Sequence, residues 1–251
     1  GLYWELKDYV KFTRDQRLLV KEEISQLIDW HRSEELPQYA DQLEKLSKQL
    51  KSGITVEQLE ESYNYLRGSW QRIVIKTLPA AVDITSNLND QQVNDFLEML
   101  IEKEGDDAKK IEKGTHVRTV KKREAYVSKK IVEVIGPLNE AQKALIAQWA
   151  QRMKPTKEFS LAQAIQWRTK MQTVLAERHD EQQLQKNLMV LFANPDQLRS
   201  ASYRRLIDKN KHLVMQLLLD LNQTLTHQQR SKLVKKINGY IEDFRDLSDR
   251  P

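Results

Sequence analysis

Residues 206–244 read LIDKNKHLVMQLLLDLNQTLTHQQRSKLVKKINGYIEDF, and they have the clearest helical periodicity in the chain. Apolar residues recur every three or four positions on both sides of one short turn. They are Leu206, Leu213, Val214, Leu217, Leu218 and Leu221 before it, and Leu233, Ile237, Tyr240, Ile241 and Phe244 after it. Such spacing places each set on one face of an α-helix. The stretch therefore predicts a closing antiparallel helical hairpin.

The turn itself, Leu225-Thr226-x-x-Gln229, has the pattern of a capping box, in which the Thr side chain and the Gln side chain each bond the other residue's backbone N–H. A cap of this kind is worth about 1 kcal/mol. The same pattern occurs five more times along the chain, at Thr13/Gln16, Thr55/Gln58, Asn89/Gln92, Asn139/Gln142 and Ser160/Gln163. A further start is predicted at Asn194, with Pro195 at the first helical position and Gln197 closing the box. The irregular separations indicate helix starts and not a fixed-length repeat.

Composition supports a helical chain with few turns. Only 7 Gly and 6 Pro occur in 251 residues, and 39% of the residues are hydrophobic, enough for a substantial core. Helix ends or joins are expected at Gly53, Gly105, Gly114 and Gly136 and at Pro37, Pro79, Pro137, Pro155 and Pro195. No segment alternates like a strand. The sequence predicts an all-α domain of about nine or ten amphipathic helices with short connections.

The weakest point for a division lies at residues 103–115, which contain two glycines and several charges. We expect an N-terminal helical half at 1–102, a hinge at 103–115 and a C-terminal half at 116–251, together forming one continuous domain.

Motifs for enzymes, metals and cofactors do not occur in the sequence. There is no Cys, and no two of the five histidines are three or four residues apart. Gly-rich phosphate loops, nucleophile elbows and calcium loops are also missing. We therefore expect no metal, no cofactor and no enzymatic activity. The sequence contains no run of about 18 apolar residues, so it predicts no transmembrane helix.

One polar and aromatic cluster is a candidate recognition surface. It comprises Trp30, His31, Arg32, Glu35 and Tyr39. These residues lie on both sides of Pro37, which can open a helix but cannot continue one. The favoured alternative is a structural helix corner, in which Trp30 and His31 are half-buried and Arg32 pairs with Glu34 or Glu35.

A basic stretch is a candidate anion-binding face, with nine cations against Glu112 and Glu124. The cations are Lys109, Lys110, Lys113, Arg118, Lys121, Lys122, Arg123, Lys129 and Lys130. The stretch carries a net charge of +7 in a chain of net charge +5, so it could bind lipid headgroups or another polyanion. The competing interpretation is the solvated face of an ordinary amphipathic helix. Nucleic acid is not expected, since Tyr126 is the only aromatic residue in the stretch.

The first ten residues are rich in aromatic and apolar side chains, namely Leu2, Tyr3, Trp4, Leu6 and Tyr9. We expect this segment to dock on the helical body; the alternative is contact with a membrane surface.

The order of these motifs resembles a proteobacterial lipoprotein family known as domain of unknown function 6279. The opening carries the likeness in Tyr9-Val10, Phe12-Thr13, Gln16, Trp30-His31-Arg32, Glu35-Leu36-Pro37 and Tyr39-Ala40. Later segments carry it in Gly136, Leu138, Gln142, Trp149, Pro195-Asp196, Leu198, Tyr203-Arg204 and Asn210. The closing helix carries it in Leu225-Thr226, Gln229-Arg230, Leu233, Tyr240, Asp243 and Leu247.

This resemblance implies a periplasm-facing envelope protein, anchored by a lipid on a Cys upstream of these residues. It implies no reaction and no catalytic residues. The leading hypothesis is therefore a non-enzymatic protein that binds another envelope component. One alternative is a chaperone-like binder of unfolded or lipidated clients, because periplasmic stress chaperones share the Leu-Thr-x-x-Gln helix start found at Leu225. Another alternative is a hydrolase of envelope polymers that uses carboxylates such as Glu34, Glu35, Glu60 or Glu61.

Overall fold

A computed structural model describes residues 9–113 and 116–249 of the chain. The fold of these residues is built of helices. Within those residues there are ten α-helices, a π-helical turn, a 3-10 turn and no β-strand. The α-helices are α1 (Arg14–Trp30), α2 (Leu36–Ser52), α3 (Val56–Ser86), α4 (Asp90–Glu112), α5 (His116–Ile135), α6 (Glu140–Arg152), α7 (Lys157–Ala176), α8 (Glu181–Ala193), α9 (Ala201–Thr224) and α10 (His227–Ser248). The π-helical turn, His31–Glu35, joins α1 to α2 without a break, and the 3-10 turn is Pro195–Leu198. The predicted all-α fold of about nine or ten helices is confirmed.

The helices form two compact units. Unit 1 comprises Gly1–Asp29, Arg67–Lys113 and Thr156–Arg204, and unit 2 comprises Trp30–Leu66, Gly114–Pro155 and Arg205–Pro251. Each unit thus takes three separate stretches of chain and does not follow the predicted halves 1–102 and 116–251. Most of the predicted hinge is helical, because α4 continues to Glu112. Amphipathic helices pair by apolar face, and neighbours in sequence need not be neighbours in a core.

The core of unit 1 lies between α3, α4, α7 and α8. Its buried side chains are Leu78, Leu88, Val93, Met171, Val174, Leu175, Leu184, Leu188, Leu191 and Leu198. Two cations connect elements around it. Arg168 Nε donates to both carboxylate oxygens of Glu104 at 2.9 and 3.0 Å, and the buried Arg178 donates to Leu88 O at 2.8 Å.

Unit 2 has two apolar clusters. The first comprises Ile146, Trp149, Ala150, Leu213, Leu217 and Leu221, and the second comprises Ala40, Leu50, Ile237 and Ile241. The last two helices are joined by Leu225 and Thr226, but the main partner of α10 is α2 and not α9, as a closing hairpin would require. The apolar faces of α9 and α10 accordingly belong to different clusters. Arg230 at the start of α10 also donates to Leu50 O at the end of α2.

Five of the seven predicted capping boxes form. In each, the Thr or Asn side chain accepts from the Gln backbone N–H and the Gln side chain accepts from the cap's N–H. The boxes are Thr13/Gln16, Thr55/Gln58, Asn89/Gln92, Asn139/Gln142 and Thr226/Gln229.

Two of the predicted caps are wrong. Helix α7 begins at Lys157, one turn before Ser160, so the Ser160 N–H already donates to the backbone of Thr156 at 2.8 Å. Gln163 is consequently free to donate to Pro195 O at 3.1 Å. At Asn194 the side chain makes no capping bond, and the segment that follows is only a 3-10 turn.

Four of the capping glutamines also pair with each other. In unit 1, Gln16 Nε2 donates to Gln92 Oε1 at 3.2 Å and Gln92 Nε2 donates to Gln16 Oε1 at 2.7 Å. The same two amides donate to Asn87 O and Lys11 O, each two residues before the opposite cap. The N-termini of α1 and α4 are therefore bonded directly to each other.

Unit 2 contains the same arrangement. Gln142 Nε2 donates to Gln229 Oε1 at 2.9 Å, and Gln229 Nε2 donates to Gln142 Oε1 at 3.0 Å. These amides also donate to Thr224 O and Pro137 O, again two residues before the opposite cap. The N-termini of α6 and α10 are joined by the same set of bonds as those of α1 and α4.

The helix break predicted around Pro37 does not occur. The chain passes through the π-helical turn, in which the Leu36 N–H donates to His31 O, and α2 continues with Pro37 near its start. A π turn is wider than an α turn and leaves room for a proline ring that has no N–H to donate.

The helix ends and joins that we predicted at glycines and prolines occur at only some of them. Gly53 and Gly136 end helices with φ of 98° and 92°, the left-handed region that glycine favours. Gly105 and Pro79 instead lie inside α4 and α3, so neither marks a join. Gly114 lies outside the described residues, as do Leu2, Tyr3, Trp4 and Leu6 of the N-terminal segment.

Candidate functional site

The predicted recognition cluster lies in unit 2, along the π-helical turn and the first turn of α2. Trp30, His31, Arg32 and Tyr39 are half-buried, and Glu35 has 0% exposure. The His31 ring lies edge-on to Tyr39 with centroids 5.6 Å apart. The expected half-burial of Trp30 and His31 is found, but the expected helix corner is not, because the chain stays helical through the π turn. A recognition role for the cluster stays a prediction.

Tyr39 is the centre of an aromatic contact set. Its ring also lies edge-on to Tyr65 at 6.4 Å and to Phe244 of α10 at 6.2 Å. Edge-to-face aromatic pairs contribute about 1 kcal/mol beyond their burial. The set therefore fixes the start of α2 against α3 and α10 within unit 2.

The predicted anion-binding residues are divided between the units. Lys109, Lys110 and Lys113 belong to unit 1, and the other six belong to α5 in unit 2. Lys109 pairs with Asp106 at 3.2 Å and Lys110 with Asp107 at 2.9 Å. The hydrogen bond with Lys110 lowers the pKa of Asp107, and the same bond raises the pKa of Lys110.

Arg123 has a structural role that the sequence did not indicate. Its Nη1 donates to Ala150 O at 2.7 Å and to Met153 O at 2.9 Å. It thereby satisfies free carbonyls at the C-terminus of α6, and its burial lowers its pKa. Lys121, Lys122, Lys129 and Lys130 of the same helix are exposed.

An apolar cavity of about 860 Å³ lies in unit 1. Helix α1 contributes Val20, Ile24 and Leu27 to its lining, and the second half of α3 contributes Ala80, Ala81 and Ile84. Further apolar lining residues are Leu88, Phe96, Trp167, Met171, Leu175, Leu188 and Phe192. We name this feature the unit 1 cavity.

One end of the unit 1 cavity is fixed by the glutamine pair. Phe12 and Leu88, which line the cavity, directly precede the caps Thr13 and Asn89. Because Gln16 and Gln92 bond across these caps, the starts of α1 and α4 are held together at that end. Tyr9 and Val10 also line the cavity.

Few polar groups reach the unit 1 cavity. The charged residues in its lining are Glu23, Lys76 and Asp83. The Asp83 carboxylate accepts from Asn87 Nδ2 at 3.0 Å. A mainly apolar cavity with a small number of polar groups is suited to bind an apolar or amphiphilic molecule and to orient its polar end.

Sequence reasoning missed this cavity. Its lining comes from five helices, from the segment before α1 and from Leu88 between α3 and α4, so no single stretch carries a signal for it. The one local hint is the pair Ala80-Ala81 after Pro79, small residues on the face of a long helix.

The carboxylates of the hydrolase hypothesis do not meet at a cavity described here. Glu35 is buried, Glu61 pairs with Lys45 at 2.7 Å, and none of Glu34, Glu35, Glu60 and Glu61 lines the unit 1 cavity. In residues 9–113 and 116–249 no group of three His, Asp or Glu side chains is arranged to hold a metal ion. No helix in the same residues is long and apolar enough to cross a bilayer.

The described residues thus form an all-helical protein with a large apolar cavity in unit 1. The chain matches the family of unknown function DUF6279 over residues 8–204, and it belongs to that family. The motifs at Asn210 and in α10 lie beyond the matched range. No curated protein and no solved structure matches the chain.

Proposed function

We propose that this protein is a non-enzymatic binding protein of the bacterial cell envelope, and that the unit 1 cavity takes up an alkyl chain of another envelope component. The observation that carries the proposal is the cavity of about 860 Å³ with its aliphatic and aromatic walls. Cavities of this size bury most of the surface of a small ligand, and burial of apolar surface supplies the affinity.

The shape of the lining favours a chain over a compact ligand. It extends along α1 from Val20 to Leu27 and along α3 from Lys76 to Thr85. At 1.5 Å per residue these stretches are about 11 and about 14 Å long. Lys76, Glu23 and Asp83 could then meet the polar end of the molecule.

The envelope setting rests on the motif resemblance described above. It supports a protein that faces the periplasm, is attached to the membrane by a lipid on a Cys upstream of Gly1, and has an envelope protein as partner. The chaperone-like alternative included unfolded and lipidated clients. The unit 1 cavity favours lipidated clients, because a cavity of this size accommodates one alkyl chain better than an unfolded polypeptide.

The binding test uses N-phenylnaphthylamine, an apolar dye that fluoresces when it leaves water. We expect the protein to bind the dye and palmitate to displace it. The variants Ala80→Trp and Ala81→Trp fill the cavity and should weaken dye binding by at least about tenfold. The matched control is Ala162→Trp, at an exposed position of α7 that does not line the cavity.

Wild-type dye affinity in both filled variants would exclude the cavity as the site. Dye binding that palmitate cannot displace would exclude an alkyl ligand. The envelope proposal is tested separately, by fractionation of cells that express the full-length protein with the upstream Cys intact or replaced by Ser. Release of the Cys→Ser protein from the membrane is expected, and a cytoplasmic wild-type protein would contradict the proposal.

A further inference from the structure

A second surface, in unit 2, has a composition suited to a charged partner. The outward ridge of α5 carries Lys122, Tyr126, Lys129 and Lys130, which recur at intervals of three or four residues and therefore share one face. All four are exposed, and Tyr126 has 64% exposure. The opposite face of α5 packs through Val120, Val127 and Ile131 against an apolar cluster.

Helix α10 adds further lysines next to this ridge. Lys236 Nζ donates to Glu133 O in the last turn of α5 at 3.0 Å. Lys232 lies beside Gly136, where its Nζ would be 3.5 Å from an added Cβ. Tyr240, one turn after Lys236, has 46% exposure. Residues that are about 100 positions apart thus form one surface.

We name this surface the α5–α10 patch, and it is strongly basic. Its cations are Lys122, Lys129, Lys130, Lys232, Lys235 and Lys236, and Glu133 is the acid that they surround. The hydrogen bond from Lys130 and the charges of Lys129 and Lys236 lower the pKa of Glu133, so those lysines lie within electrostatic reach of one carboxylate. With Glu133 ionised, these seven residues keep a net charge of +5.

We propose that the α5–α10 patch binds the anionic phospholipid headgroups of a bilayer surface. Clustered lysines near an anionic membrane are each worth roughly a fivefold gain in affinity. Exposed tyrosines suit the membrane–water interface, because the ring is apolar and the hydroxyl is polar. The patch has no arginine, whose planar fork would favour bidentate phosphate recognition on a nucleic acid.

This inference is independent of the unit 1 cavity, because it concerns other helices and needs no bound alkyl chain. Failure of the dye experiment would therefore leave it standing, and its own failure would not affect the cavity.

The test is co-sedimentation of the protein, as the 251-residue chain, with lipid vesicles. One set of vesicles contains phosphatidylcholine alone, and the other contains about 30% phosphatidylglycerol. We expect binding only to the anionic vesicles, at about 50 mM salt, with most of it lost at about 300 mM.

Two pairs of charge reversals locate the site. Lys129→Glu with Lys232→Glu changes the patch without touching the bonds of Lys130 and Lys236, and should weaken vesicle binding at least about tenfold. The matched control is Lys170→Glu with Lys186→Glu, which makes the same change in net charge at exposed positions of unit 1. Thermal unfolding checks that both proteins remain folded.

A third variant separates interface contact from charge alone. Tyr126→Ser with Tyr240→Ser should weaken binding by about threefold or more and leave its salt dependence unchanged. Equal vesicle binding by the patch variant and the control would overturn the proposal, as would no wild-type binding at low salt. Binding to a single-stranded oligonucleotide that the patch variant loses, without any vesicle binding, would assign the patch to nucleic acid instead.

Discussion

Gln142 and Gln229 donate to each other across 2.9 and 3.0 Å, although 87 residues separate them in the chain. Each amide also accepts from the backbone N–H of its own cap and donates to a carbonyl before the other cap. One buried pair therefore satisfies donors and acceptors at two helix N-termini at once. Gln142 has 0% exposure, so water cannot replace a bond that is lost.

The first prediction concerns Gln142→Ala. The change removes one cap and leaves buried partners of Gln142 unsatisfied, so we expect the free energy of unfolding to fall by about 3 kcal/mol. Urea denaturation measures it. The control is Gln58→Ala, in a capping box outside both glutamine pairs, where a loss of only about 1 kcal/mol is expected. Equal losses in the two variants would show that the cross-pairing adds nothing.

The pair in unit 1 should be energetically coupled. A double-mutant cycle with Gln16→Ala and Gln92→Ala is expected to give an interaction free energy of about 1 to 2 kcal/mol. The reason is that either single change already removes both amide–amide bonds. Additive single effects would contradict the reciprocal bonding described here.

Two glycines should respond in opposite directions to substitution by alanine. At Gly136, with φ of 92°, a side chain strains the backbone, and we expect a loss of about 1 kcal/mol. At Gly105, inside α4 with no atom within 4 Å of an added Cβ, we expect a gain of about 0.5 to 1 kcal/mol. Thermal or urea unfolding of both variants decides the sign at each site.

Arg123→Met should destabilise the protein by about 2 kcal/mol. The variant loses two charge-assisted hydrogen bonds to carbonyls at the end of α6 and retains a similar apolar stem. The neighbouring exposed Lys122→Met is the control, with an expected change within about 0.5 kcal/mol. Equal effects at the two positions would remove the capping role of Arg123.

The free energy of unfolding should depend on pH through Glu133. Its pKa is lowered in the folded protein, chiefly by the hydrogen bond from Lys130, so its contribution is present above the unfolded pKa and is lost as the pH falls through the folded pKa. Wild type should therefore exceed Glu133→Gln in urea midpoint near neutral pH, and the two should converge in acid. The gap should also narrow as salt is added. A gap that stays constant with pH would contradict this assignment.

The helices and their starts could be predicted because they depend on local contacts. Thr13 and Gln16 are three residues apart, so the sequence itself displays the capping box. Ser160 and Gln163 have the same spacing, but the chain is already helical from Lys157, and a cap pattern inside a helix has no free N–H to bond. The pattern alone cannot separate these two cases.

The tertiary features could not be predicted in the same way. Gln16 and Gln92 are 76 residues apart, and nothing in either box indicates the other as its partner. Glu35 was expected on a recognition surface but is fully buried, because the π-helical turn leads into α2 where a break at Pro37 was expected. The cavity and the α5–α10 patch each need helices from separate parts of the chain, which only packing brings together.

Glutamine at the four paired positions makes the bonds between the helix starts independent of pH. A carboxamide neither gains nor loses a proton across the physiological range, and it offers both a donor and an acceptor, so two of them complement each other without any charge. Glutamate, the other residue that can close a capping box, would place two repelling anions face to face and would respond to acidity. The two glutamine pairs should therefore stabilise the helix starts equally at acidic and at alkaline pH. The ion pairs on the surface of the protein should weaken in acid, where their carboxylates take up protons, and form again when the pH rises.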